Sequence, residues 1–379
     1  MPITISTKNS LVIRSTCLFW LIAKIICWRL WLSDRLFPVV PPFHFLSLPS
    51  PFHWALFVSS FALLTLVFFF PANKKLIVAL VITETASCLL DQNRWQPWEY
   101  QYIFMLLVFI INFKDDLKIT TGITFIFIST YFFSGLGKIN PVFLQVVWQQ
   151  MVLFQLLHQP HAILYNWPVA HAGYAMGILE ITFGICLFFN RTRKIAASLL
   201  IAMHIVIIYL FGPIGLNYDK VVWPWNVAMI CYLYILFIKK DIYPISFKSL
   251  TYRWNKLLLL CWGILPILSF WGYWDYFLSS SLFSSRIPNM LICVHKTGSA
   301  TALEHYFEKS KTNKALCDSN SHLILVKFWA FEEMEIPSYS QPRVFKGIKY
   351  ELVKRYPDME ADFYISTYEN GKRKIELIK

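Results

Sequence analysis

Six ionisable side chains stand inside stretches that are otherwise apolar: Glu84, Glu99, Lys138, His171, Glu180 and His204. Ionisable groups are costly in such a setting, which makes each a functional candidate by default. Lys138 closes the run 131-YFFSGLGKIN-140. A lysine there can lay its stem along the helix and float the ammonium to the headgroups, or be held inward as an amine base. Lysine titrates at about 10.4 in water, so the second use requires burial or a cationic neighbour that favours the neutral amine. His171 and Glu180 lie on one expected helix about half a turn out of phase, so they are not a local pair. Each reads as an interhelical hydrogen-bonding group or as a catalyst. His204 precedes 209-YLFGPIGLNYDK-220, where Gly212, Pro213 and Gly215 interrupt the helix. Such breaks are tolerated at membrane depth where they line a cavity or are packed in protein. The stretch 91-DQNRWQPWEYQY-102 gathers Asp91, Arg94 and Glu99 with Trp95, Trp98, Tyr100 and Tyr102. It reads as an interfacial aromatic belt or as the mouth of a pocket for an aromatic headgroup.

The elements that must position these groups are membrane helices. With 56% hydrophobic and only 15% charged residues, the chain is far too apolar for a soluble globular protein. Its net charge of +13 does not point to nucleic acid, because Lys and Arg are scattered through short loops instead of forming one basic stripe. Spans of roughly 20 residues are expected near 11–32, 53–71, 75–91, 99–113, 119–137, 168–189, 194–212, 222–238 and 256–276. The first carries Arg14, Lys24 and Arg29 and lacks a small-residue cleavage site, so it reads as an amphipathic or spanning helix, not a removed signal peptide. The loops holding Lys74 and Lys75, Lys114 and Lys118, 190-NRTRK-194, and Lys239 to Lys256 recur on alternate sides of this series. They share one face, cytoplasmic by the positive-inside rule. Lys138 and the long 138–167 connection, with Trp148, His158 and His161, then lie on the other face.

After 277 the apolar runs shorten to strand length. The segment 322-HLILVKFWAF-331 reads as a strand, and DFYISTY and RKIELI as a hairpin around Glu369-Asn370-Gly371. Between them 301-TALEHYFEKSK-311 carries a Thr-x-x-Glu capping box and helical spacing of Leu303, Tyr306 and Phe307. Six of the eight cysteines lie in apolar runs and no C-x-x-C pair occurs, so no metal or dithiol site is expected. Cys293 and Cys317 lie in polar sequence, where they either pair on an oxidising side or remain buried thiols. The expected fold is an all-α polytopic membrane bundle of about eight or nine spans with a small C-terminal extracytoplasmic α+β domain. Its parts are 1–52, a membrane-associated or first spanning helix with a Pro-rich loop; 53–276, the membrane domain; and 277–379, the tail.

Three segments resemble the vitamin K-dependent gamma-carboxylase and its HTTM-domain relatives. YFFSGLGKINPVF is similar to the family's aromatic run, glycine and lysine. The segment 169-VAHAGYAMGILEITFGICLFFNRTRKIA-196 resembles its His-x-Gly, acidic residue, Leu-Phe-Phe run and basic turn. The segment 204-HIVIIYLFGPIGL-216 resembles a helix with an N-terminal His that ends in a Phe-x-Ile-Gly turn, with one residue inserted around Pro213. The resemblance covers roughly 91–238. It implies a quinol-dependent, carboxylase-like lyase or oxidoreductase, with Lys138 as the base toward a reduced quinone. His204 and His171 would line the pocket, and Trp95, Trp98, Glu99 and Tyr100 its rim. The implied partners are the bilayer, the quinone and a protein or peptide acceptor on the extracytoplasmic side. Where the family enzyme has an Asn-His pair after a Trp, this chain has Pro97 and Trp98. The expectation is therefore a shared membrane core without carboxylation carried over. The alternative is a noncatalytic scaffold whose buried polar residues hold helices together and whose tail binds a protein.

Overall fold

Apolar segments without water must satisfy their backbone groups internally, which favours helices. The computed structural model describes residues 6–217, 219–239, 245–281, 287–309, 317–318, 321–369 and 372–378. Among the described residues it is mostly helical, with one small sheet. Among the described residues, six helices are long and apolar enough to cross a membrane: Thr7–Ile26, Ser50–Phe69, Asp116–Lys138, Trp167–Cys186, Arg193–Phe211 and Arg253–Trp271. Two further expected spans are shorter apolar helices, Pro97–Ile111 and Val222–Ile238. The expected 75–91 span is Lys74–Leu90, which carries Lys74, Lys75 and Glu84.

The chain divides into two units. The first comprises 1–26, 58–85 and 96–285, and the second 27–57, 86–95 and 286–379. The Pro-rich segment after the first helix is thus grouped with the tail.

The first unit takes α1 (Thr7–Ile26), most of α2 (Ser50–Phe69) and α3 (Lys74–Leu90), α4 (Pro97–Ile111) and α5 (Asp116–Lys138). The 138–167 connection is itself helical: a π-helix Phe143–Leu156, then α6 (His161–Leu164) and α7 (Trp167–His171). Then come α8 (Gly173–Cys186), α9 (Arg193–Phe211) and α10 (Val222–Leu233), which continues into a π-helical turn. After α11 (Phe247–Leu250), the last span is assembled from short pieces around α12 (Lys256–Leu258) and α13 (Leu265–Leu268). Pro266 within it lacks an N–H, which disfavours one unbroken helix.

α5 and α8 pack antiparallel through small residues. A Cβ on Gly135 would lie 2.6 Å from the Gly177 carbonyl oxygen, and one on Gly184 would lie 2.6 Å from Tyr131 Cβ. Small residues of this kind let helix backbones approach closely in lipid, where van der Waals packing drives association.

The second unit contains a four-stranded antiparallel sheet of order β2-β1-β3-β4, built from β1 (Asn289–Lys296), β2 (His322–Leu325), β3 (Glu360–Glu369) and β4 (Lys372–Leu377). Strands β3 and β4 form the expected pair, and the expected turn residues Asn370 and Gly371 lie outside the described residues. The expected 322–331 strand ends at Leu325 and turns into α14 (Val326–Met334). Val326, Trp329, Ala330, Glu333 and Met334 are buried at helical spacing, a period too short to separate from a strand within ten residues. The expected capped helix at 301 is a 3-10 helix, Thr301–Tyr306, behind Ala300 with no side-chain cap. Here the Thr-x-x-Glu match occurs without its cap geometry. Cys293 and Cys317 are disulfide-bonded.

Side chains of α14 hold the N-terminal segment of this unit. Glu333 accepts the Phe37 N–H at 2.9 Å and the Trp329 indole N–H at 2.8 Å, while Arg355 of α15 (Pro342–Arg355) donates to the Leu36 carbonyl at 2.7 Å. The guanidinium of Arg94 is fully buried and donates to the carbonyls of Leu30, Trp31 and Ser87 and to His53 Nδ1. With Arg35 paired to Asp91, these bonds explain why the polar 91–94 stretch is internal.

Candidate functional site

Lys138 does not snorkel. Its amine turns inward from the end of α5, pairs with Glu180 of α8 and donates to Ser134 Oγ at 2.7 Å. Both partners are buried, Lys138 at 9% and Glu180 at 5% exposure. The pairing follows from helix geometry. Tyr131, Ser134 and Lys138 recur at helical spacing on one face of α5, and the Gly135–Gly177 approach brings that face against α8.

A second group lies on the same face. Tyr131 Oη is 2.8 Å from His204 Nε2, and His204 Nδ1 is 2.6 Å from Asn226 Oδ1. Asn226 donates its own amide N–H to the Val222 carbonyl at 2.7 Å, which leaves Oδ1 facing His204. The tautomer follows: Nδ1 carries the hydrogen and Nε2 accepts from the Tyr131 phenol. All three side chains are buried. Tyr131 and Lys138, two turns apart on α5, link the two groups through one helix. The arrangement provides an amine, a carboxylate, a phenol and an oriented imidazole within one buried patch, the equipment for moving a proton.

The other expected site residues fall elsewhere. His171 is exposed, stacks on Trp167 at 4.7 Å and bonds through Nδ1 to the Trp167 carbonyl. Trp98, Glu99 and Tyr100 are buried inside the bundle, not displayed on a rim. Glu99 accepts the Trp20 indole N–H at 2.6 Å, Tyr100 stacks on Trp262 at 5.1 Å, and Trp98 packs on Tyr102. Trp95 is half-buried and belongs to the second unit. Glu84 forms a separate buried ion pair with Lys24 at 2.8 Å and accepts from Ser60.

Sequence reasoning missed Tyr131, Ser134 and Asn226. Tyr131 lies two turns before Lys138, a spacing that could have flagged it. Asn226 carries no comparable signal, because its role depends on how α9 and α10 pack. Among the described residues no group of three or more His, Cys, Asp or Glu could hold a metal ion. No family model, no curated protein and no solved structure matches the chain.

Proposed function

We propose that the chain is a multi-pass membrane protein of the gamma-carboxylase-like, HTTM-domain type, whose Lys138 acts as a base toward a reduced quinone. The observation that carries this reading is the burial of the Lys138 amine against Glu180, on the face of α5 that also carries Tyr131. A bound quinol would supply an acidic phenolic hydroxyl and two reducing equivalents. The donor set suits such a hydroxyl, since the amine, the Ser134 hydroxyl and the Tyr131 phenol all lie on one helix face. Passing the ammonium proton to Glu180 would leave the neutral amine that a base requires. Lys138 then takes the hydroxyl proton, and His204, its tautomer fixed by Asn226, holds the Tyr131 phenol beside it. No carboxylation step is assigned, because Pro97 and Trp98 occupy the place of the family's Asn-His pair.

In the same proposal the basic loops face the cytoplasm, giving about eight or nine crossings. The disulfide supports an oxidising, extracytoplasmic setting for the tail. A scaffold is the second reading. It is favoured by the way Glu84, Glu99 and Glu180 each tie their own helix to at least one other.

The test is binding of a reduced quinone by purified protein in lipid, with deprotonation of the bound quinol followed spectroscopically. Wild type and Lys138→Ala are compared. The reading expects wild type to bind and the variant to lose proton uptake from the quinol. Folded wild type that binds no quinol would leave the scaffold.

A further inference from the structure

Between Lys138 and Glu180 the chain carries no Asp, Glu, Lys or Arg. Most of this stretch is the connection between the spans Asp116–Lys138 and Trp167–Cys186. A connection in water would expose charge. This one exposes Val146 at 50%, Phe154 at 40%, Leu157 at 49%, Ile163 at 38%, Tyr165 at 69% and Trp167 at 72%.

Its geometry limits where it can go. The contacts of Gly135 with Gly177 and of Tyr131 with Gly184 make α5 and α8 antiparallel, so the connection leaves and returns at the Lys138 end. The π-helix Phe143–Leu156 has 14 residues. Even at the α-helical rise it would extend only about 21 Å, short of the ~30 Å hydrocarbon core. It reverses at His158, whose φ is +48°, and at Pro160, which starts α6.

The helix is also amphipathic in an uncharged way. Phe143, Leu144, Val147, Val152 and Leu153 are buried, while Gln145, Gln150 and Gln155 are exposed beside Val146 and Phe154. The return limb ends in Tyr165 and Trp167, the residue types that settle at headgroup level.

We propose that 139–167 is an interfacial hairpin, seated at the headgroup–acyl boundary of the leaflet at the Lys138 end of α5 and covered by lipid. The occupant is lipid because the hairpin continues into the span beginning at Trp167 and offers no formal charge to a polar protein partner. This inference is independent of any catalytic role for Lys138.

The test is spin-label accessibility of full-length protein in lipid nanodiscs, with the disulfide kept and the six free cysteines replaced. Labels are placed by Ile163→Cys and Tyr165→Cys, with Ile205→Cys on α9 as the lipid reference and Glu332→Cys as the aqueous one. Two exposed sites guard against one variant failing to fold. Collision with oxygen is expected to exceed collision with a water-soluble nickel chelate several-fold at both sites, as at Ile205. Nickel collision equal to that at Glu332 overturns the proposal and makes the hairpin an aqueous loop. Protection from both agents also overturns it, by showing that protein covers the surface.

Discussion

At the scale of single residues, the Lys138–Glu180 pair separates what stabilises from what functions. Removing one member strands the other as an uncompensated buried charge, a cost of about 3–5 kcal/mol, whereas replacing both by apolar groups of similar volume is often neutral. Glu180→Gln is therefore expected to lower the melting temperature in lipid markedly, and Lys138→Met with Glu180→Leu to recover most of the loss. A double variant no more stable than the single one would show that the pair's worth lies outside its mutual attraction. The residue scale is also where sequence reading reached least far. Lys138, Glu180 and His204 were visible as costly groups, but which of them meet was not. The pairing depends on the rotational setting of α5 against α8, which three glycines spread over both helices determine together. His171, equally conspicuous in sequence, turns to its own helix for a partner.

At the scale of elements, the same glycines carry a prediction. Gly135→Ala would place a methyl 2.6 Å from a backbone carbonyl that cannot rotate away, so α5 and α8 must separate. Overpacking of this kind costs about 1–3 kcal/mol. Gly263→Ala, whose Cβ would meet only the edge of the Phe125 ring at 3.3 Å, serves as the control. The expected result is a drop in melting temperature for Gly135→Ala well beyond that of Gly263→Ala, and equal drops would sink the close-packing account. In the second unit, Gly298 has φ +58° and lets Ser299 cap Asp358 through both its hydroxyl and its N–H. The Ser299 hydroxyl is the main reason the Asp358 carboxyl sits below the usual carboxylate range. Because this folded value is depressed, its contribution is fully present above the unfolded value of about 3.9 and is lost as pH falls through the folded one. The melting difference between wild type and Ser299→Ala is expected at neutral pH and should vanish in strong acid. A difference unchanged by acid would remove the carboxylate from the explanation.

At the scale of the whole molecule, local and distant information divide cleanly. Apolar runs are a local signal, and they located the long helices. The grouping of 27–57 and 86–95 with 286–379 is not local. It rests on bonds such as Glu333 to the Phe37 N–H and Asn93 to the Tyr339 N–H, which span most of the chain. The strand expected over 322–331 is present only to Leu325, for the related reason that burial, not residue type, chose helix after it. Within this unit the Cys293–Cys317 bond closes a loop with a sequence separation of 24. Loop-closure entropy for such a length contributes roughly 3–4 kcal/mol. Cys293→Ala with Cys317→Ala is therefore expected to lower the unfolding temperature of the second unit. Protein prepared without reductant from its native membrane should resist maleimide at both positions until it is reduced. Labelling without reduction would mean that the thiols are free in the cell, and the argument for an oxidising side would fail with them.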